Sequence, residues 1–255
     1  MSHGIIRYKH MFGGASMLPL LCTYSHFSFL QAVPAPAELV RAAAAMGYRE
    51  LALTDVDSLH GLVEFVTAAR EAGVRPLLGA TARVAGQGRL ILLLKRDCQL
   101  APLVTAVNDA ALAGEAARQR LAGRKLLVLA GEDSAIYGCL SRGEQATALK
   151  LARELKALAG GDFWLAAGRD QHMWPLIREL ARAVAAGVAA CPAVRWLEPK
   201  QQLAFQALAM LAPTAPAATE GLLLPPSEMA AIFSSWPQAI AGAETLAEQA
   251  GGELP

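Results

Sequence analysis

An α/β barrel is the fold class this sequence predicts, on three observations. Short apolar runs of strand length alternate with amphipathic runs of helix length, about seven times over. Glycine and proline punctuate the runs where helices should start and stop. No GxGxxG or GxxxxGK[ST] loop is present, so the nucleotide-binding open sheets lose their support. Repeated βα units imply parallel strands joined by right-handed crossovers, and this many units favour a closed barrel over an open sheet.

The elements follow in order. Leu18 to Thr23 reads as the first strand, and Pro36 to Met46 as a helix with proline at its start and Gly47 past its end. Leu51 to Thr54 is a short strand; Ser58 is placed to cap a helix that runs to about Ala72 and is ended by Gly73. Pro76 to Val84 and Arg89 to Lys95 are strands, with Gly86 and Gly88 marking a turn between them. A helix over Leu100–Leu121 precedes a strand at Lys125–Ala130. Helix Gly143–Leu158, strand Phe163–Ala167, helix Trp174–Ala186 and strand Val188–Cys191 complete the alternation. Beyond Trp196 the character changes to helices at Gln201–Leu211, Ser227–Phe233 and Gln238–Ala250, with a Pro/Ala/Thr loop at Pro213–Thr219.

Composition narrows the function. Hydrophobic residues make up 54% of the 255 and charged residues 18%, enough apolar material for a large core. A net charge of +1 gives no basic field for gripping nucleic acid, so contact with DNA is expected only indirectly, through a partner. Cys22, Cys98, Cys139 and Cys191 form no CxxC pair, which points to free thiols in a reducing, cytoplasmic setting. Met11 to Ala37 lacks charge and follows Arg7 and Lys9, the outline of a leader cleaved near Ala35. Thr23, Tyr24, Ser25, His26 and Ser28 interrupt that run and have a better explanation in the motifs below. No membrane span is expected.

Three segments carry a family resemblance. Leu21-Cys22-Thr23-Tyr24-Ser25-His26-Phe27-Ser28-Phe29-Leu30 is similar to the pattern L-H-x-H-S-x-[YF]-S-x-L-D. Gly47 to Gly61, with Leu53-Thr54-Asp55, resembles G-[YM]-x-A-L-A-[LI]-T-D-H-x-x-L-x-G. Glu71 to Ala80 resembles E-A-G-I-K-P-I-I-G-x. These are motifs of the PHP domain. Arg89–Arg96, Gly138-Cys139-Leu140-Ser141, Ala190–Leu197 and Glu228-Met229 with Phe233, Pro237 and Ala239 extend the likeness to DNA polymerase III α subunits. The Phe29-Leu30 pair leans toward their error-prone branch. The resemblance implies a distorted (β/α)7 barrel over residues 18–197 and a C-terminal helical segment, 198–255, that in the family leads to the polymerase palm. Residues 1–17 match nothing in the pattern and read as an N-terminal extension.

The family holds up to three zinc or manganese ions at one barrel face, which activate water for phosphoester hydrolysis. Carried over position by position, the two histidines of its first motif fall on Cys22 and Tyr24, and the following aspartate falls on Gln31. The histidine after Thr-Asp falls on Val56, the glutamate after the glycine on Thr81, and the histidine before the apolar strand on Arg89. The cysteine of G-C-L-S is kept as Cys139, and the last Asp-x-His pair falls on Ala193 and Arg195. Only Cys139 keeps its family residue, although Cys22 retains a donor for a soft ion. Val56, Thr81 and Ala193 have no useful donor, and fixed positive charge at Arg89 and Arg195 repels cations. No bound metal or other cofactor is therefore expected.

The remaining pocket residues have structural readings. Asp55 is expected to accept backbone N–H groups at a strand end. Arg89 and Arg195 are expected to pair with Asp55 or Asp57 and fill the space of the lost ions; the sharper alternative is bidentate anion binding by the two arginines. His26 is read as a hydrogen-bonded pocket residue, His60 as helical and His172 as an exposed loop residue.

The favoured function is a catalytically inactive module of an α-type polymerase, docking the polymerase body in cis or in trans and, in some relatives, a proofreading exonuclease subunit. The chain stops where an α subunit would continue, so it is expected to be an excised domain or a split homologue. A metal-dependent phosphoesterase, either a 3′–5′ exonuclease or a histidinol-phosphatase-like enzyme, and an anion-binding barrel are the alternatives.

Overall fold

A computed structural model describes residues 18–110, 121, 125–211 and 220–252. The N-terminal extension and the Pro213–Thr219 loop expected from the sequence lie outside them, as do residues 111–120 of the helix expected at Leu100–Leu121.

Seven strands form one curled sheet in the order β1-β2-β3-β4-β5-β6-β7. They are β1 (Leu20–Thr23), β2 (Glu50–Leu53), β3 (Arg75–Val84), β4 (Gly88–Leu94), β5 (Leu126–Ala130), β6 (Phe163–Ala167) and β7 (Gly187–Ala190). Helices α1 (Pro36–Ala45), α2 (Leu62–Glu71), α3 (Ala101–Ala110), α4 (Ala135–Ser141), α5 (Gln145–Ala159) and α6 (Trp174–Val184) lie between strands. Three more follow: α7 (Gln201–Leu211), α8 (Pro226–Ile232) and α9 (Pro237–Gln249).

The apolar spacing explains which faces are buried. On α6 the core side is Trp174, Ile177, Leu180, Ala181 and Val184, one stripe at helical period. Every residue of β5 is buried, as expected where helices cover one face of a strand and barrel side chains the other. Curling brings the chain after β7 back to β1. The seam there is closed by Tyr24 N–H donating to the Val194 carbonyl (2.9 Å) and Val194 N–H donating to the Cys22 carbonyl (3.0 Å).

Three expectations are corrected. The strands are not all parallel: β4 runs antiparallel to both β3 and β5. Residues 85–87 are too short for a crossover, and Gly86 and Gly88, both at φ +72°, supply the turn of a hairpin instead. The long β3 serves both arrangements, with Arg75–Leu78 parallel to β2 and Gly79–Val84 antiparallel to β4. Ser58 does not cap α2, which begins at Leu62; its hydroxyl accepts from His60 N–H (3.3 Å), so His60 sits in a turn and not in the helix. Helix α4 was not foreseen; Ser134 caps it by accepting from Tyr137 N–H at 3.2 Å.

Helix α9 packs on β7 through small residues. Gly242 lies so close that a Cβ would collide with the Val188 carbonyl oxygen. Arg75 fastens the end of the helix, donating to the carbonyls of Ala247 (2.6 Å) and Ala250 (3.1 Å) while pairing with Glu50 at 2.8 Å. Among the described residues no helix is long and apolar enough to cross a membrane. Gly242→Ala is expected to lower unfolding free energy by about 1–3 kcal/mol through overpacking. Urea unfolding measures this, and an unchanged midpoint would show that α9 does not bear on β7 this closely.

Candidate functional site

Parallel strands deliver their C-terminal ends to one face of the sheet, and the reversed β4 delivers its start to the same face. That juxtaposition gathers Cys22 from β1 and Tyr24 just after it, Thr81 from β3, Arg89 from β4, Glu132 and Asp133 after β5, and Cys191, Ala193 and Arg195 after β7 around one cavity. The space left inside, about 10 Å³ for the centre of a water molecule, is room for about one water.

Arg195 occupies the middle. Its side chain is 2% exposed, and its guanidinium carbon lies 4.2 Å from the centre of the Tyr24 ring. One terminal nitrogen donates to the Gln31 carbonyl (3.2 Å) and the other pairs with Asp133 Oδ2 (3.2 Å), while Nε has no partner. Burial works against this charge, but the facing Tyr24, Asp133, Cys22 and Glu132 outweigh it and raise the Arg195 pKa. Arg89 donates to Gln31 Oε1 at 2.7 Å. Neither arginine pairs with Asp55 or Asp57, as the sequence reading had expected, because both aspartates are engaged elsewhere.

Asp55 is buried beneath the loop that follows β1. Its Oδ1 accepts from Ser25 N–H and the Ser28 hydroxyl and its Oδ2 from the Ser25 hydroxyl, each at 2.6 Å. Ser28 Oγ in turn accepts from Val56 N–H at 3.0 Å. Asp57, at φ +50°, is exposed and accepts from Arg83 N–H at 3.2 Å.

Other expected site residues fall apart. Cys139 is on α4 and does not line the cavity; Arg142 donates to its sulfur at 3.7 Å. His26 is exposed, with its ring 4.5 Å from that of Phe27, and is not a pocket residue. Val56 bridges Thr81 just outside the cavity lining.

Three lining residues escaped the sequence reading: Cys191, Glu132 and Asp133. Cys191 lines the cavity together with Cys22, whose thiol donates to Tyr24 Oη at 3.2 Å. Interaction between the two thiols lowers the Cys22 pKa and, with burial, pushes that of Cys191 well above the ordinary range. Glu132 lies flat against Gly168, where any Cβ would strike its Oε1. Burial raises the Glu132 carboxyl above its ordinary value, and Arg195 opposes the shift. The signal for these residues was positional only: each lies within about three residues beyond the end of a strand. Among the described residues no three His, Cys, Asp or Glu side chains converge as a metal-binding group.

The PHP domain family matches residues 21–189. The chain is 38% identical over 119 residues to the error-prone DNA polymerase of Ralstonia nicotianae, covering 45% of this chain and 11% of that protein. It is 47% identical over 70 residues to the error-prone DNA polymerase of Alkalilimnicola ehrlichii, covering 28% and 7%. It is 28% identical over 161 residues to DNA polymerase III subunit alpha of Vibrio cholerae, covering 61% and 14%. The aligned stretches are thus a small part of these curated relatives. An amidohydrolase from Chromobacterium violaceum shares the fold alone, with a TM-score of 0.50 and 14% identity over 75% of this chain and 96% of that one.

A carboxyl with a raised pKa in the folded chain contributes stability that is complete below its ordinary value of 4.5 and lost as pH rises through the raised value. Glu132→Gln cannot ionise, so the parent is expected to lose stability relative to this variant as pH rises above about 4.5. Urea unfolding of both proteins across that range tests it. Parallel profiles would mean that Glu132 does not titrate in a buried setting.

Proposed function

Because the chain belongs to the PHP domain family, whose match runs from residue 21 to residue 189, we propose that it is a non-catalytic module of a cytoplasmic, α-type DNA polymerase assembly. The likeness to polymerase relatives supports that company, and on this reading the polymerase body, in cis or in trans, is its partner. The non-catalytic half of the reading rests on one observation: Arg195 shares its cavity with Cys22, Tyr24, Thr81, Arg89 and Ala193, the positions on which the resemblance sets the family's ligands.

A divalent centre for phosphoester hydrolysis needs several hard or borderline donors and room for a bound water on each ion. Here the cavity presents a guanidinium stacked on a tyrosine, a second arginine tied to Gln31, and space for about one water. The donor set does not fit such a centre, and no hydrolytic step is derived from it. The same crowding disfavours the anion-binding alternative. Both terminal nitrogens of Arg195 already have partners, and a phosphate is far larger than the space.

A docking role has support on the surface. Helix α7 packs Phe205 on Trp196, their rings 5.0 Å apart, yet turns Leu203 (73% exposed), Met210 (88%) and Leu211 (71%) to the outside. No charged residue occurs between Gln201 and Thr219. An apolar helix face of this kind suits a protein partner, and the polymerase body is the one this reading assigns.

Elemental analysis of protein purified without chelator tests the reading, together with assays for 3′–5′ nuclease and phosphomonoesterase activity in zinc or manganese. Well under one equivalent of either metal and no hydrolysis above background are expected. About two or three equivalents with EDTA-sensitive hydrolysis would overturn it and install the phosphoesterase.

A further inference from the structure

We propose that the cleft between the barrel rim and the C-terminal helices is a binding site for a small organic carboxylate with an apolar body. No polymerase role is needed for it. The cleft has a volume of about 400 Å³, within the ~300–1,000 Å³ of small-molecule sites. Its lining comes from the turn after β6, the segment after β7, α7, residues 220–224 and the end of α8. It shares no lining residue with the cavity at the barrel mouth.

An under-compensated cation selects an anion. Arg169 lines the cleft, is half-buried, and donates through one terminal nitrogen to the Leu222 carbonyl. Among the described residues its buried Nε and its other terminal nitrogen have no hydrogen-bond partner, and no carboxylate lies within ion-pairing distance. Burial lowers the Arg169 pKa, and Glu220 offsets only part of the shift. A charge taken out of water without a full partner is unfavourable, and an arriving anion relieves it. One guanidinium balances one carboxylate. A phosphate monoester, with close to two charges near neutrality, would keep one of them uncompensated beside Glu220, which also lines the cleft.

The walls select the rest of the molecule. Trp196, Leu222, Leu224 and Ile232 give the cleft an apolar surface. Gln202 of α7 is half-buried there, and among the described residues its side chain makes no hydrogen bond, so its amide is available to donate to the bound group. An extended peptide fits less well. The Gly221 carbonyl accepts from the Arg195 and Trp196 N–H groups, that of Leu222 from Arg169, and that of Leu224 from the Tyr48 hydroxyl. The carbonyls that an added strand would need are already taken.

The test is calorimetric titration of the full chain with phenylacetate, with its neutral amide and with phenyl phosphate. The acid is expected to bind at one site per chain, the amide about tenfold or more weaker, as loss of a hydrogen bond between charged groups implies, and phenyl phosphate weaker than the acid. Arg169→Gln should weaken the acid by about 10- to 100-fold. That variant also loses the bond to Leu222, so two others keep the proposal falsifiable. Gln202→Glu removes no described hydrogen bond and should weaken the acid through like charge; Glu220→Gln should strengthen it. Acetyl-glycyl-phenylalanine, which presents the same groups on a chain end, should bind no tighter than the acid; clearly tighter binding would overturn the small-molecule source. No saturable binding of the acid, equal binding of acid and amide, a preference for phenyl phosphate, or affinity unmoved by the Gln202 and Glu220 variants would overturn the site.

Discussion

A buried guanidinium has to be compensated wherever it lies, and the mouth of this barrel is organised by that requirement. Arg195 has lost its water. It is repaid by a carboxylate from the β5 side, a carbonyl from the loop after β1, and the face of Tyr24. These partners belong to two segments far apart in the chain, the loop after β1 and the turn after β5, and one charge ties both to the segment after β7. Removing a single partner from such a set is strongly destabilising because the charge is left behind. Asp55 does the complementary work beneath the same loop, where one carboxylate collects three donors from Ser25 and Ser28. A cation above and an anion below thus hold the backbone from Tyr24 to Gln31.

Much of this was legible in the sequence where the physics is local. Strand and helix runs sit near where apolar period and Gly/Pro punctuation put them. Asp55 was read as an acceptor of backbone N–H groups at a strand end; it accepts one, from Ser25, and two hydroxyls, all from the distant loop after β1. The Ser58 cap and the short helix α4 were misread locally, but the failures at the site are non-local. The partners of Arg89 and Arg195 could not be chosen from spacing, because Gln31 and Asp133 reach them only through the curl of the sheet. Cys139 was drawn in by its G-C-L-S surroundings, yet Ser134 starts a helix that carries it away from the mouth. Cys191, read as the last residue of a strand, and Glu132 were passed over because a residue at a strand end gains meaning only when the neighbouring strand ends are known. The antiparallel β4 was half visible: Gly86 and Gly88 announced a turn, but the βα count overrode what so short a connection implies.

A shared fold leaves the chemistry of a site open. The PHP framework here keeps the strands that bring one face together and the polar anchoring of the loop after β1. The side chains at that face have gone over to a different logic, in which van der Waals contact, a cation–π stack and two thiols occupy the volume. Such a filled mouth also ties the loop after β1, the turn after β5 and the segment after β7 to one another through Arg195 and its partners.

The seam between β1 and the segment after β7 has a consequence for biosynthesis. β1 leaves the ribosome early, but Val194, which exchanges backbone hydrogen bonds with it, is made only after six further strands. Until then one side of β1 is an unpaired edge carrying Leu20 and Leu21, the kind of surface that recruits other nascent chains. Closure is a contact of long sequence separation, which slows folding through the entropy of the loop it closes. The vulnerable interval therefore lasts as long as translation of the barrel, and slower elongation lengthens it.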